Sequence, residues 1–260
     1  MTRLFHLLIL LLALFIMAPI IVVVVTSFSL REVPEFPPSA WSLRWYAHAL
    51  DQPIFTTSAW NSAWLAMVAT LLATPLALAV AYVIVRYRFP GRDALQTFML
   101  APLIVPSIVI GLAILLSFAT LGLRDVGLRL VGAHVLITFP YLVRTIIASL
   151  TRLDPMLEEA ARTLGAAPWR TFLLITLPLI RPGIIAGVLF ALIVSFDNVS
   201  LSLFLASARM NTLPLAILSY VEFNYDPSIA AISTMLIAVS LAAAVLLERV
   251  VGLRRVVGVS

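Results

Sequence analysis

The chain has 260 residues, of which 62% are hydrophobic and only 11% charged, with a formal net charge of +5 and no cysteine. Soluble domains are about 45–50% apolar and about 25% charged, so this chain lacks the charged residues to cover the exterior of a water-soluble globule. That excludes a soluble enzyme, a disordered chain and a nucleic-acid-binding domain, and the missing cysteines exclude disulfides, thiolate metal sites and a cysteine nucleophile.

A spanning helix needs about 20 predominantly apolar residues. In chain order six stretches meet this, at about 4–28, 61–85, 95–120, 132–150, 182–205 and 228–247. The expected fold is all-α: one transmembrane domain over 1–260 with six spanning helices. The uncharged core of the first stretch, Leu7 to Val25, exceeds the roughly 7–15 residues of a signal-peptide core, and no small-residue cleavage site follows, so it reads as a retained span. The outer segment after it holds Pro34, Pro37, Pro38 and Pro53 with Trp41, Trp45 and Tyr46. Pro37-Pro38 forbids a helix there, Ser42 to Leu50 is expected to form a short interfacial one, and the aromatics read as a membrane-surface belt. Pro75, Pro102, Pro106 and Pro140 fall within spans and are expected to kink them where neighbours satisfy the freed carbonyls.

All 17 basic residues are arginine. With a cytoplasmic N-terminus the inner segments hold eleven: Arg3, Arg86, Arg88, Arg92, Arg152, Arg162, Arg170, Arg181, Arg249, Arg254 and Arg255. The outer segments hold five, Arg31, Arg44, Arg124, Arg129 and Arg209, while Arg144 lies inside the fourth span. This skew follows the positive-inside rule and puts both termini in the cytoplasm. The basic charge is a topology signal, not a nucleic-acid one.

The longest inner loop runs between the fourth and fifth spans, over 151–182. Asp154 suits a helix N-cap and Pro155 the first helical position. Glu158 and Glu159 lie at the positive end of that helix. Met156, Leu157, Ala160, Ala161 and Leu164 give an apolar face at helical spacing, and Gly165 is placed to end the helix. Pro168 opens a second helix through Trp169, Phe172 and Ile175, which Pro178 is expected to break or kink. Two readings stand equal on periodicity: a knuckle that inserts into a groove on a soluble partner, or a hairpin lying on the membrane with Trp169 and Phe172 in lipid.

The residues Glu159-Ala160-Ala161, Gly165 four positions later, and Ile175, Leu177 and Pro178 of the run Ile175-Thr176-Leu177-Pro178 fit every fixed position and gap of a known signature. They resemble the EAA signature of ABC-importer permeases, and Ser195-Phe196-Asp197-Asn198 resembles the polyamine branch of that family. The likeness extends over essentially the whole chain. It implies the type I ABC-importer permease fold, a bacterial inner-membrane location, and an EAA loop that docks in a cleft of a cytosolic ATPase. Glu159 would then make polar contacts with the ATPase, Ala160 and Ala161 would permit close approach, and Gly165 would set the bend. The implied partners are two ATPase subunits carrying ATP and magnesium, a second permease that is a related but different chain, an extracytoplasmic substrate-binding protein and membrane lipid. This chain has no G-x-x-x-x-G-K-[ST] phosphate loop, so no cofactor of its own and no ATP hydrolysis are expected.

Ionisable groups inside a bilayer default to functional hypotheses. Arg144 is near enough to the inner end of its span to snorkel to the interface. Gly183, Gly187, Ala191 and Ser195 form a small-residue stripe on the fifth span that allows close packing. Asp197 points away from it and, with Asn198, Ser200 and Ser202, reads as lining a water-filled path for a cation. Tyr220, Glu222, Tyr225 and Asp226 near the last outer loop suit an organic cation, a binding-protein contact or an interfacial anchor. Polyamine permeases often carry an acid after the third-span proline, whereas here Pro106 is followed by Ser107. The substrate class therefore stays open between polyamines and other amines, phosphonates or metal chelates. His6, His48 and His134 have no metal-ligand spacing and read as core or interface residues.

Two rivals remain. A secondary transporter would need in-membrane relays, for which one acid and one arginine are thin material. An intramembrane enzyme would need a G-x-S-x-G nucleophile or an H-E-x-x-H metal motif, and the chain has neither.

Overall fold

The computed structural model describes residues 2–251; Arg254 and Arg255, counted above on the inner side, lie outside the described residues, as does the C-terminus. Those residues are helical apart from loops and two isolated β-bridges, Ser29 with Trp41 and Ser207 with Met210. Among them, five helices are long and apolar enough to cross a membrane, and a sixth crossing is made if one bent pair counts as a single span.

The chain divides into two compact units. One contains Met1–Ser58 and Ala216–Ala242. Helix α1 (Thr2–Thr26) is apolar on every side, and its residues from Leu4 to Ile21 are exposed, as expected of a helix solvated by lipid or another chain. The chain then folds back: Ser27 Oγ and the Tyr46 hydroxyl lie 2.6 Å apart, and the Ser42 amide donates to the Phe28 carbonyl. Helix α2 (Arg44–Asp51) follows, its Arg44 guanidinium over the Trp45 ring at 4.6 Å and paired with Glu32 at 3.1 Å.

The other unit contains Ala59–Leu215 and the described residues from Ala243 on. Its centre is α6 (Val126–Arg152), which packs against α9 (Leu177–Phe196), α10 (Val199–Leu205), α5 (Ser107–Thr120) and α4 (Arg92–Leu100). Lipid gives helices no hydrophobic reason to associate, so close van der Waals fit has to hold them, and small residues make that fit possible. Two stripes supply it. Gly187, Ala191 and Ser195 of α9 are buried, and a Cβ at Gly187 would lie 2.3 Å from Thr145 Oγ1 and one at Gly183 2.0 Å from Ser149 Oγ. The second stripe is Ala69, Ala73, Ala77 and Ala81 of α3 (Pro53–Arg86), all fully buried. The last three join Leu142, Val143, Ile146, Leu150, Ile180 and Ala191 in one apolar cluster. A second cluster joins Leu65, Ile110, Leu130, Ala133, Ile137, Leu201 and Leu205.

Two of the six stretches are interrupted. The third is split into α4, a 3-10 turn over Ala101–Leu103, and α5, with the two segments 97° apart. Pro102 and Pro106 remove two amide donors, and Pro106 itself leaves the helical region at ψ 131°, so the ladder cannot continue. The fifth stretch ends as α9 at Phe196 and restarts as α10 at Val199. Pro178, by contrast, breaks nothing. The helix runs on through it from Pro168 to Phe196, and the ladder adjusts just before it as a π turn over Phe172–Thr176.

The α6–α9 seam yields a direct check. Gly187→Ala should destabilise the detergent-solubilised protein by about 1–3 kcal/mol, the usual cost of overpacking. Adding Thr145→Ala removes the clashing hydroxyl and should recover most of the loss. An unchanged melting temperature for Gly187→Ala alone would show that the seam is not tight.

Candidate functional site

The inner loop forms a compact knuckle. Asp154 caps helix α7 (Pro155–Thr163) by accepting the Met156 amide at 2.9 Å, and Pro155 occupies the first helical position. The helix stops at Gly165, whose φ of +86° is the left-handed conformation that a side chain resists. The Ala166 amide reaches back to the Ala161 carbonyl at 3.0 Å and the Gly165 amide to Arg162 at 2.9 Å, satisfying carbonyls the helix leaves open. Three residues later Pro168 opens α8 (Pro168–Thr171), which continues through the π turn into α9.

Helical spacing alone does not decide which side of α7 faces out. Met156 (69% exposed), Leu157 and Leu164 (88% exposed) face away from the chain, as do Glu159 and Ala160. The inward side holds Ala161 and, against expectation, Glu158, only 3% exposed. The Glu158 carboxylate takes an ion contact from Arg86 Nε at 2.9 Å and accepts a hydrogen bond from the Thr176 hydroxyl at 2.6 Å. Arg86 is the last residue of α3 and Thr176 the last of the π turn, so the carboxylate ties three elements together. The pair is not bidentate: Arg86 Nε meets the carboxylate as an ion contact without hydrogen-bond geometry, and Nη2 is likewise buried without a hydrogen-bond partner among the described residues. Removing either partner of such a buried pair strands a charge, at a cost of about 3–5 kcal/mol. Beside it Tyr82 meets Phe172 edge to face at 5.1 Å. A groove of about 420 Å³ opens there, lined by Tyr82, Tyr87, Arg162, Trp169 and Phe172 above Pro75 and Leu78.

Of the signature residues, Glu159, Ala160, Gly165 and Pro178 are exposed, Ile175 in the π turn and Leu177 at the start of α9 are half-buried, and Ala161 is buried. The sequence placed Glu158 with Glu159 at the positive end of the helix and gave it no role in the signature, and nothing local shows that it turns inward.

The polar residues assigned to a pathway fall in both units. In the larger, Asp197 ends α9 with its amide on the Ile193 carbonyl, while its exposed carboxylate has no hydrogen-bond partner among the described residues. Asn198 is committed to structure: its side-chain oxygen accepts the Leu201 amide at 2.9 Å and caps α10. Ser107 is the half-buried first residue of α5, a helix that packs on α10. Ser195 is buried with His134, whose Nδ1 lies 2.8 Å from its hydroxyl. In the smaller unit, Tyr220 stacks on Phe55 at 4.9 Å and donates its hydroxyl to Asp226 at 2.7 Å. The other Asp226 oxygen accepts the Ser228 amide at 2.8 Å, at the start of α12 (Ser228–Val251). Burial alone pushes the Asp226 carboxyl up, but the donors of Ser228 and Tyr220 outweigh it and hold it below the ordinary carboxylate value. Glu222 and Tyr225 are exposed.

Residues 73–255 match the family described as the binding-protein-dependent transport system inner membrane component. The chain belongs to this family. The permease is 33% identical over 230 residues to the putrescine transport system permease protein PotI of Escherichia coli (strain K12), a match covering 86% of this chain and 82% of the relative. It is 32% identical over 228 residues to the spermidine/putrescine transport system permease protein PotC of Haemophilus influenzae, covering 88% of each. Among solved structures it shares the fold of a bacterial ABC transporter involved in the import of the acidic polysaccharide alginate, with a TM-score of 0.76 and 17% identity over 95% of both chains. An amino acid ABC transporter matches with a TM-score of 0.62 and 19% identity over 81% of this chain and 98% of that one. The chain is thus the permease of an ABC importer, a multi-pass protein of the inner membrane.

The Asp226 contacts predict a structural rather than a transport phenotype. Asp226→Ala removes both acceptors and should weaken the start of α12 by about 1 kcal/mol, the usual scale for losing a side chain that accepts a helix-start amide. Because the folded carboxyl lies below its unfolded value, its contribution is complete above the unfolded pKa. It should fade as pH falls past the ordinary carboxylate value and through the lower folded one. Thermal unfolding from pH 7 to 3 checks this: the difference between wild type and variant should shrink at the acid end.

Proposed function

We propose that this permease works as one of a pair, the other a related but different chain, and that α7 docks on a cytosolic ATPase. The observation that carries the reading is the outward face of α7. Met156, Leu157 and Leu164 stand exposed on a short helix capped at both ends, at the arginine-rich end of the bundle. An apolar patch presented this way is a partner surface. Glu159 adds a carboxylate at its edge, and the Gly165 bend presents the helix as a knuckle that a cleft can receive. ATP and magnesium belong to the ATPase in this reading, and the permease hydrolyses nothing itself. An extracytoplasmic binding protein delivers the solute, and both termini lie in the cytoplasm.

The solute we assign is a small organic cation of the polyamine class. The relatives named for putrescine and spermidine support this, and so does the unpartnered Asp197 carboxylate at the α9–α10 break. Asp226 has each carboxylate oxygen engaged already, one by the Ser228 amide and one by the Tyr220 hydroxyl. Other amines, phosphonates and metal chelates are the alternative, supported by Ser107 standing where an acid would favour a polyamine.

Two measurements test the two halves of the proposal. Leu164→Asp should cut co-purification of the ATPase at least about tenfold, the scale of an interface anchor, while leaving the permease in the membrane. Full co-purification would remove α7 as the docking element. Asp197→Asn should lower putrescine uptake several-fold at limiting concentration, and wild-type uptake would remove Asp197 from the pathway.

A further inference from the structure

We propose that Arg86, Glu158 and Thr176 form a rigid joint through which displacement of α7 moves α3 and α9 together. The joint rests on the reading that α7 receives a push from an ATPase.

Its three members come from separate elements, and each sits where that element meets the inner loop. Arg86 ends α3, Glu158 lies on the inward side of α7, and Thr176 closes the π turn that leads into α9. Both charged side chains are nearly sealed from solvent, 11% exposed for Arg86 and 4% for Glu158. Parting them would leave two buried charges without water to compensate, so the contact resists opening while its surroundings move. The π turn between Thr171 and Leu177 is the weak link in the path from α7 to α9, because its hydrogen-bond ladder is irregular. Glu158 spans that weakness by holding Thr176 directly at 2.6 Å. One turn back along α3, Tyr82 meets Phe172 at the other end of the same π turn. Two attachment points fix an orientation, where one would leave a pivot. The adjacent carboxylates therefore have separate duties: Glu159 faces outward and Glu158 holds the joint. Arg86, Glu158 and Thr176 are positioning residues.

The test uses the complete importer in liposomes, reading ATP hydrolysed per solute imported. Because the chain has no cysteine, Arg86→Cys/Glu158→Cys can be bridged with a short bismaleimide. The unbridged pair should assemble and hydrolyse ATP but import at least tenfold less per ATP, and the bridge should restore most of that loss. An unbridged pair with the wild-type ratio, or a bridge that abolishes the remaining import, overturns the joint. Thr176→Val keeps the ion pair and removes only the attachment to α9. It should raise the ATP consumed per solute several-fold, and a wild-type ratio in an assembled Thr176→Val importer overturns the joint if the cysteine pair does not assemble. A wild-type chain that imports without any ATPase overturns the docking reading and the joint with it. A wild-type chain that couples normally, with variants that keep its ratio, overturns the joint alone.

Discussion

The close approach of α6 and α9 at Gly183 and Gly187 governs much of the larger unit. Within a bilayer no hydrophobic force draws two apolar helices together, so contact area has to come from backbones that nearly touch. Thr145 and Ser149 fill the space that side chains on α9 would otherwise take. The same seam closes the apolar cluster with the α3 alanines. It also holds the two ends of the inner loop, since α6 leads into the loop and α9 leads out of it. The knuckle is therefore presented by a packed three-helix base.

On that base the two neighbouring glutamates of α7 meet opposite environments. Glu159 faces outward with the apolar residues Leu157 and Leu164, where a charge is solvated until something binds. Glu158 is turned under the helix, where a carboxylate is tolerated only because Arg86 and Thr176 are there to meet it. The knuckle is thus an apolar contact face on the outside, charged at its rim, with an ionic attachment beneath.

Much of this was legible in the chain. Asp154, Pro155, Gly165 and Pro168 act through local geometry, and each takes the role its backbone chemistry implies. The small-residue stripe on α9 was equally readable, while the matching alanines of α3 are masked by a run that is apolar on all sides. The third and fifth stretches were read as continuous because hydropathy reports the solvent and not the direction of the axis. Pro102 and Pro106 were expected to kink a helix, and two of them within five residues turn it by 97°. Pro178 carries the same chemistry, but the helix runs on through it with a π turn just before it. The Asp226 contacts were not legible, because its partners, Ser228 and Tyr220, define no spacing of their own.

The sequence by itself determined the solvent, the helical class, the skew of arginine and the family signature, because these depend on composition and on residues close together in the chain. Tertiary structure decided which face of α7 is presented, which glutamate is buried, and which acids stay unpartnered. Those outcomes depend on partners far apart in sequence: Glu158 needs Arg86, 72 positions before it, and no local rule brings them together. A burial pattern repeated every few residues is visible in one dimension, whereas the cost of a buried charge is settled only by whatever the fold sets beside it.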